Sequence, residues 1–177
     1  MYRFANKEPN KLAIVGPNEE LVSRGELLSK ANKLTHALRD LGLKKFDTVA
    51  VVLPNSVEYF VVYMACLQAG FYLVPINWLL AGPEIAYILE DSEAKAFIAS
   101  GKNPDMEKAC INAVSEISFD KKGCITIDEL EGFRHIDDFT KSMPDENPHD
   151  RSAGQVMNYT SGTTGKPKGV KRNLVEG

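Results

Sequence analysis

The sequence predicts an α/β fold, a mostly parallel sheet flanked by helices. Two observations predict it. Short apolar runs rich in β-branched residues alternate along the chain with stretches of helical periodicity. One of those runs, DTVAVVL at 47–53, is apolar almost throughout, as a parallel strand covered on both faces must be. Alternation of this kind implies a parallel or mixed sheet with right-handed crossovers.

Each element has its own local cause. KLAIV at 11–15 is a short strand ended by Gly16-Pro17. Ser23 and Glu26 form a capping box, and Leu27, Ala31, Leu34, Leu38 and Leu41 follow at helical spacing, with Gly42 at the C′ position. His36 falls on the polar face of that helix and is expected to be solvated. After the strand at 47–53, Pro54 is a stop, Asn55 or Ser56 a cap, and an apolar helix runs to Ala69 before Gly70. Residues 71–76 read as a third strand. A helix starting near Pro83 presents Ile85, Ile88 and Leu89 on one face, and AFIA at 96–99 makes a fourth strand. Asn103-Pro104 is a cap and first-turn proline, followed by a core stripe of Met106, Ala109, Cys110, Ala113, Val114 and Ile117. CITI at 124–127 is a short strand. Residues 129–151 are acidic and carry Pro144 and Pro148, which reads as a connecting segment; His135 and His149 within it have no second ligand at useful spacing. The expected division is an α/β portion over 1–150 and a strand–loop–strand unit over 151–177.

Bulk properties exclude several classes of function. At 177 residues, 44% hydrophobic and 25% charged, the composition is that of an ordinary globular chain. A net charge of −3 with scattered Lys and Arg gives neither nucleic acid nor an anionic membrane surface as a partner. Cys66, Cys110 and Cys124 are too widely spaced for a disulfide framework or a metal pair and are expected to be free thiols; no metal ligand is assigned. The first ten residues contain no apolar core of a secretory signal, and the most apolar stretch, 57–69, is shorter than the ~20 residues that span a bilayer. A cytoplasmic protein without a transmembrane segment is expected.

The segment that carries chemistry lies at 156–172. An apolar lead runs into Thr160, Ser161, Gly162, Thr163, Thr164 and Gly165, then Lys166, Pro167, Lys168 and Gly169. Each type suits a polyphosphate. Gly162, Gly165 and Gly169 let the backbone take positive φ and approach oxygens closely, so that successive N–H groups form an anion-binding nest. The hydroxyls of Thr160, Ser161, Thr163 and Thr164 add donors, and Lys166 and Lys168 add charge. The pattern is not a Walker A loop, because Ser161 stands where that loop has its first glycine and Pro167 follows the lysine. A proline there, between β-branched flanks, favours a loop between two strands. An ordinary glycine-rich turn has no use for two lysines beside four hydroxyls. At roughly 5–7% per residue type, the run would arise by chance in far fewer than about one chain in a million.

YTSGTTGKPKGV, residues 159–170, resembles the signature phosphate loop of the adenylate-forming superfamily, which contains acyl-CoA synthetases, peptide-synthetase adenylation domains and firefly-type luciferases. ALRDLGLKKFDTVAVVLP at 37–54, GFYLVPIN at 70–77 and the stretches at 84–88 and 91–95 are similar to the early elements of acyl-CoA synthetases. The resemblance covers nearly the whole chain, more loosely between Gly101 and Arg151. It implies the N-terminal part of the adenylate-forming synthetase fold. It also implies a two-step reaction: a fatty or aromatic carboxylate attacks the α-phosphate of Mg2+-bound ATP, and coenzyme A then takes the acyl group. On that account Thr160, Ser161, Gly162, Thr163, Thr164 and Gly165 cradle the β- and γ-phosphates. Lys168 steadies the leaving pyrophosphate, and Lys166 is peripheral and solvent-facing.

Two departures bear on this. Lys171-Arg172-Asn173 replaces the Ser/Thr-His pair that follows the loop in many members, so no histidine role carries over. The family's adenine-binding, Mg2+-coordinating and ribose-binding motifs and its C-terminal lysine lie downstream of the matched region. The 177 residues alone are therefore expected to bind ATP weakly and not to complete the reaction. The alternative readings are a non-catalytic ATP- or phosphate-binding module and a chain that pairs its exposed sheet edges into a homodimer.

Overall fold

The computed structural model of the chain describes residues 2–160 and 167–174. A short helix α1 (Tyr2–Lys7) and an antiparallel pair, β1 (Leu12–Val15) and β2 (Leu21–Ser23), precede the first long helix, α2 (Arg24–Asp40). The capping box at its start is formed: the Ser23 hydroxyl accepts from the Glu26 N–H, and the Glu26 carboxylate accepts from the Ser23 N–H at 2.8 Å.

From there strands and helices alternate as expected: β3 (Thr48–Val52), α3 (Val57–Ala69), β4 (Tyr72–Pro75), α4 (Gly82–Asp91), β5 (Ala94–Ala99), α5 (Pro104–Glu116) and β6 (Cys124–Thr126). Ser56 caps α3, Gly70 ends it with φ of 78°, and Asn103 caps α5. The six-stranded sheet has the order β7-β6-β5-β3-β4-β8, where β7 is Arg134–His135 and β8 is Gln155–Val156. Every neighbouring pair in it is parallel.

The sheet is buried on both faces, and the period of two along each strand divides the core. Val49, Val51, Leu73, Ala96 and Ile98 face α2, α3 and α6 (Ile136–Thr140). Ala50, Val52, Val74, Phe97 and Ala99 face α4 and α5. This is why 47–53 reads as an unbroken apolar run. Strand order reverses at β3: α3 leads to β4 on one side, and α4 carries the chain back to β5 on the other.

The segment 129–151 departs from the expected plain connection. It contributes edge strand β7 and helix α6, then lies along α2. Ser29 donates to the Asp145 carboxylate, Asn32 to the Asp145 carbonyl at 2.8 Å, and Arg39 pairs with Asp150 at 2.6 Å. His36 meets the Glu146 carbonyl at 3.1 Å, so it is a contact of this segment and not merely a solvated side chain. These partners are polar and more than 100 residues from α2, and no local pattern announces them. Buried Gln68 sits behind them and donates to Thr35 Oγ1 at 2.7 Å and Asn32 Oδ1 at 3.0 Å.

Phe97 is fully buried, with edge-on contacts to Phe119 and Phe133. Phe97→Ala is expected to cost about 3–5 kcal/mol in urea unfolding. The three cysteines are free and buried. Burial pushes the Cys66 thiol far up, Cys110 to about 12 and Cys124 to about 11, the last two helped by Asp128 and Asp120. With folded values above the ordinary thiol value, ionisation opposes folding as pH rises past that value and has no effect near neutrality. The thiolate is the reactive form; an Ellman titration at pH 8 should therefore find all three thiols unreactive in the native chain and reactive in guanidinium.

Candidate functional site: a hairpin at the carboxyl edge of the sheet

β8 runs parallel to β4, so it ends at the same edge as the carboxyl ends of the other strands. That edge is where open α/β sheets bind ligands. Over β5 and β6 it is filled by the protein itself: Asp128 accepts from the Gly101 N–H at 2.7 Å and from the hydroxyls of Ser100 and Thr126. Beyond β8 it carries a separate antiparallel pair, β9 (Asn158–Thr160) and β10 (Lys168–Val170). The loop expected to bind phosphate is therefore held between two strands, as Pro167 suggested, and does not open a helix.

The register assigns the side chains to faces. Lys168 lies opposite Thr160, Gly169 opposite Tyr159, and Val170 opposite Asn158. Directly opposed residues share a face, so Thr160 and Lys168 stand side by side at the mouth of the hairpin, both exposed. Tyr159 and Gly169 share the other face, which turns inward and is partly buried. Of the sequence-predicted residues the structure thus brings Thr160, Lys168 and Gly169 together. Ser161, Gly162, Thr163, Thr164, Gly165 and Lys166 lie outside the described residues.

Gly169 has a different reason from the one expected. Its backbone is extended within β10, and the glycines with left-handed φ among the described residues are Gly42, Gly70 and Gly132. A Cβ at Gly169 would overlap the Met157 methyl and come within 3.0 Å of Tyr159 Cζ. The glycine is there so that the Tyr159 ring can lie across the partner strand.

Three further residues were missed from the sequence. The Tyr159 hydroxyl donates to Asp91 Oδ2 at 2.6 Å, the Tyr87 hydroxyl approaches the Pro167 carbonyl at 3.1 Å, and the Tyr72 hydroxyl donates to the Arg172 carbonyl at 2.7 Å. Lys171 Nζ lies 4.6 Å from the Tyr72 ring centroid, a cation–π contact. Tyr87 and Asp91, four apart at the end of α4 and off its apolar stripe, were the available signal. Burial, then the Asp91 carboxylate, raise the Tyr159 phenol above its ordinary value, so it remains a donor through neutral pH. Among the described residues no three His, Cys, Asp or Glu side chains converge to hold a metal, and no helix is long and apolar enough to cross a membrane.

An exposed Thr/Lys pair at the mouth of a hairpin, carried on the carboxyl edge of a parallel sheet, defines a nucleotide-binding class of α/β protein. More specifically, the chain belongs to the family of AMP-binding enzymes, whose profile matches residues 1–173. It is 32% identical over 170 residues to the long-chain-fatty-acid–CoA ligase FadD13 of Mycobacterium tuberculosis, covering 94% of this chain and 32% of that protein. It is 32% identical over 173 residues to the fatty acid–[acyl-carrier-protein] ligase ScoC of Streptomyces coeruleorubidus, covering 94% of this chain and 30% of that one. The anthranilate CoA ligase AuaEII, solved with anthranoyl-AMP, superposes with a TM-score of 0.79 at 26% identity, over 95% of this chain and 32% of that one. The chain thus spans about a third of the length of these relatives.

Gly169→Ala is expected to push Tyr159 off the strand and cost about 1–3 kcal/mol, the range for overpacking. Urea unfolding followed by tyrosine fluorescence would measure it.

Proposed function

We propose that the chain is the N-terminal part of an AMP-forming acyl-CoA synthetase and that its β9–β10 hairpin holds the phosphates of ATP. The observation that carries this is the pairing of Thr160 with Lys168 on the exposed face of a hairpin that brackets the hydroxyl- and glycine-rich run 161–166. The relatives support the reaction type, since those reported above activate fatty acids or anthranilate for transfer to a thiol.

In the proposed reaction a carboxylate oxygen bonds to the α-phosphorus of ATP while the bond to the bridging oxygen breaks, releasing pyrophosphate; coenzyme A sulfur then displaces AMP. The chain's contribution is positioning and charge neutralisation. The Lys168 ammonium stands beside the Thr160 hydroxyl and would neutralise charge gathering on the leaving pyrophosphate. The N–H groups and hydroxyls of Ser161, Gly162, Thr163, Thr164 and Gly165 would wrap the β- and γ-phosphates, with Lys166 at the rim. Gly169 would serve from the opposite face, by letting Tyr159 seat the hairpin. Mg2+ would arrive on the nucleotide. A fatty or aromatic acid is the proposed substrate class, and the free, buried thiols suit a reducing compartment such as the cytoplasm.

Lys168→Ala is expected to weaken MgATP binding to the chain about tenfold, measured by calorimetry. The complete gene product should exchange labelled pyrophosphate into ATP when supplied with a fatty or aromatic acid. Absence of exchange across such a panel, with MgATP binding that still depends on Lys168, would replace the synthetase by a non-catalytic nucleotide-binding module.

A further inference from the structure

Both strands of the hairpin are tied to one turn of one helix. On β9, the Tyr159 hydroxyl donates to Asp91 Oδ2 at 2.6 Å. At the start of β10, the Pro167 carbonyl lies 3.1 Å from the Tyr87 hydroxyl, which is also 3.4 Å from Asp91 Oδ1. A phenol carries one proton, so Tyr87 serves mainly the nearer Pro167 carbonyl, with Asp91 as its second acceptor. The short phenol–carboxylate contact is of the charge-assisted kind, stronger than a neutral hydrogen bond. Asp91 thus sits at the centre of a clamp that grips the two stems of the loop, residues 160 and 167, from below.

The helix that carries the clamp does not move easily. Ile85, Ala86, Ile88 and Leu89 of α4 are buried in the core facing β5 and α5. The opposite end of the helix is closed by the Ala81 N–H donating to the Glu84 carboxylate at 2.9 Å. By contrast, the hairpin's own link to the sheet is short: β8 pairs with β4 through two residues only. A two-stranded ribbon is marginal by itself, so an outside anchor decides where its loop stands.

We propose that Asp91 is a positioning residue for the phosphate loop: through Tyr159 and Tyr87 it fixes both stems of the hairpin against α4 and so sets the place where the nucleotide's phosphates bind. This rests on the reading of the loop as an ATP-phosphate site. Asp91 itself touches no substrate in this arrangement. It acts through the two phenols.

The test uses the full 177-residue chain and the variants Asp91→Ala, Asp91→Asn, Tyr159→Phe and the double variant Asp91→Ala/Tyr159→Phe. Two quantities are read: MgATP affinity by calorimetry, and amide hydrogen exchange by residue. In Asp91→Ala the amides of 158–160 and 168–170 should exchange at least about tenfold faster while those of β3 to β6 keep their rates. MgATP should bind about tenfold more weakly, with Asp91→Asn between this and the wild type. The double variant should be no worse than Asp91→Ala, as expected of two partners in one interaction. Unchanged hairpin exchange in all variants overturns the anchor, as does a rise spread evenly over the sheet, which would mean general loss of stability. Faster hairpin exchange with unaltered MgATP affinity also overturns it. If the wild type binds no MgATP, the nucleotide reading falls and takes this role for Asp91 with it, while the exchange data still report whether α4 holds the hairpin.

Discussion

The parallel pairing of Gln155 and Val156 with Tyr72 and Leu73 is the constraint on which the rest depends. It is the sole strand pairing that joins the hairpin's lead to the large sheet, and it is short. It exists because the chain is delivered to β4 in register. The Ser152 and Gly154 N–H groups donate to the carbonyls of Gln68 and Leu67 at the end of α3, and the Gln155 N–H donates to Phe71. Gly154 has no room for a Cβ, which would overlap the Cys66 and Phe71 carbonyls. A side chain there would lift the strand away, and with it the whole candidate site.

Polar contacts, more than apolar burial, bring the chain to that point. The segment from Asp145 to Arg151 is laid along α2 by Ser29, Asn32, His36 and Arg39. Exposed pairs such as Arg39 with Asp150 each contribute little to stability. Their value here is geometric: a series of weak bonds along one helix face leaves the chain a single path from α6 to β8. The Gln68 amide, buried and hydrogen-bonded to Asn32 and Thr35, joins that path to α3. A buried polar network of this kind specifies one arrangement of α2 and α3.

The division of labour in the hairpin follows from the pleat. One face must be polar and open for an anion, and the other must be seated. Alternation along β9 supplies both within three residues: Thr160 outward, Tyr159 inward, Asn158 outward. The same alternation on β10 sets Lys168 beside Thr160 and puts a glycine under the tyrosine ring. Function and attachment are separated by a single peptide unit, and neither has to compromise the other.

What the sequence alone determined is local. The strands β3, β4, β5 and β6, the helices α2 to α5 and their caps rest on periodicity and on side chains bonding to backbone within three residues, so 23–26, 47–53 and 103–106 carry their own instructions. The loop at 160–169 was legible for the same reason, since the residue types that suit a phosphate are contiguous. The tertiary structure decided everything that rests on distant polar partners. Strand β7 and helix α6 lay hidden in a segment read as a connection, because two strand residues and five helical ones are too few to show a period. Asp91, Tyr87 and Tyr72 were ordinary residues until the fold set them under a hairpin formed some 70 to 100 positions later. The role of Gly169 changed as well. Spacing shows that a residue is small, but only the packing of Tyr159 across the strand shows why it must be.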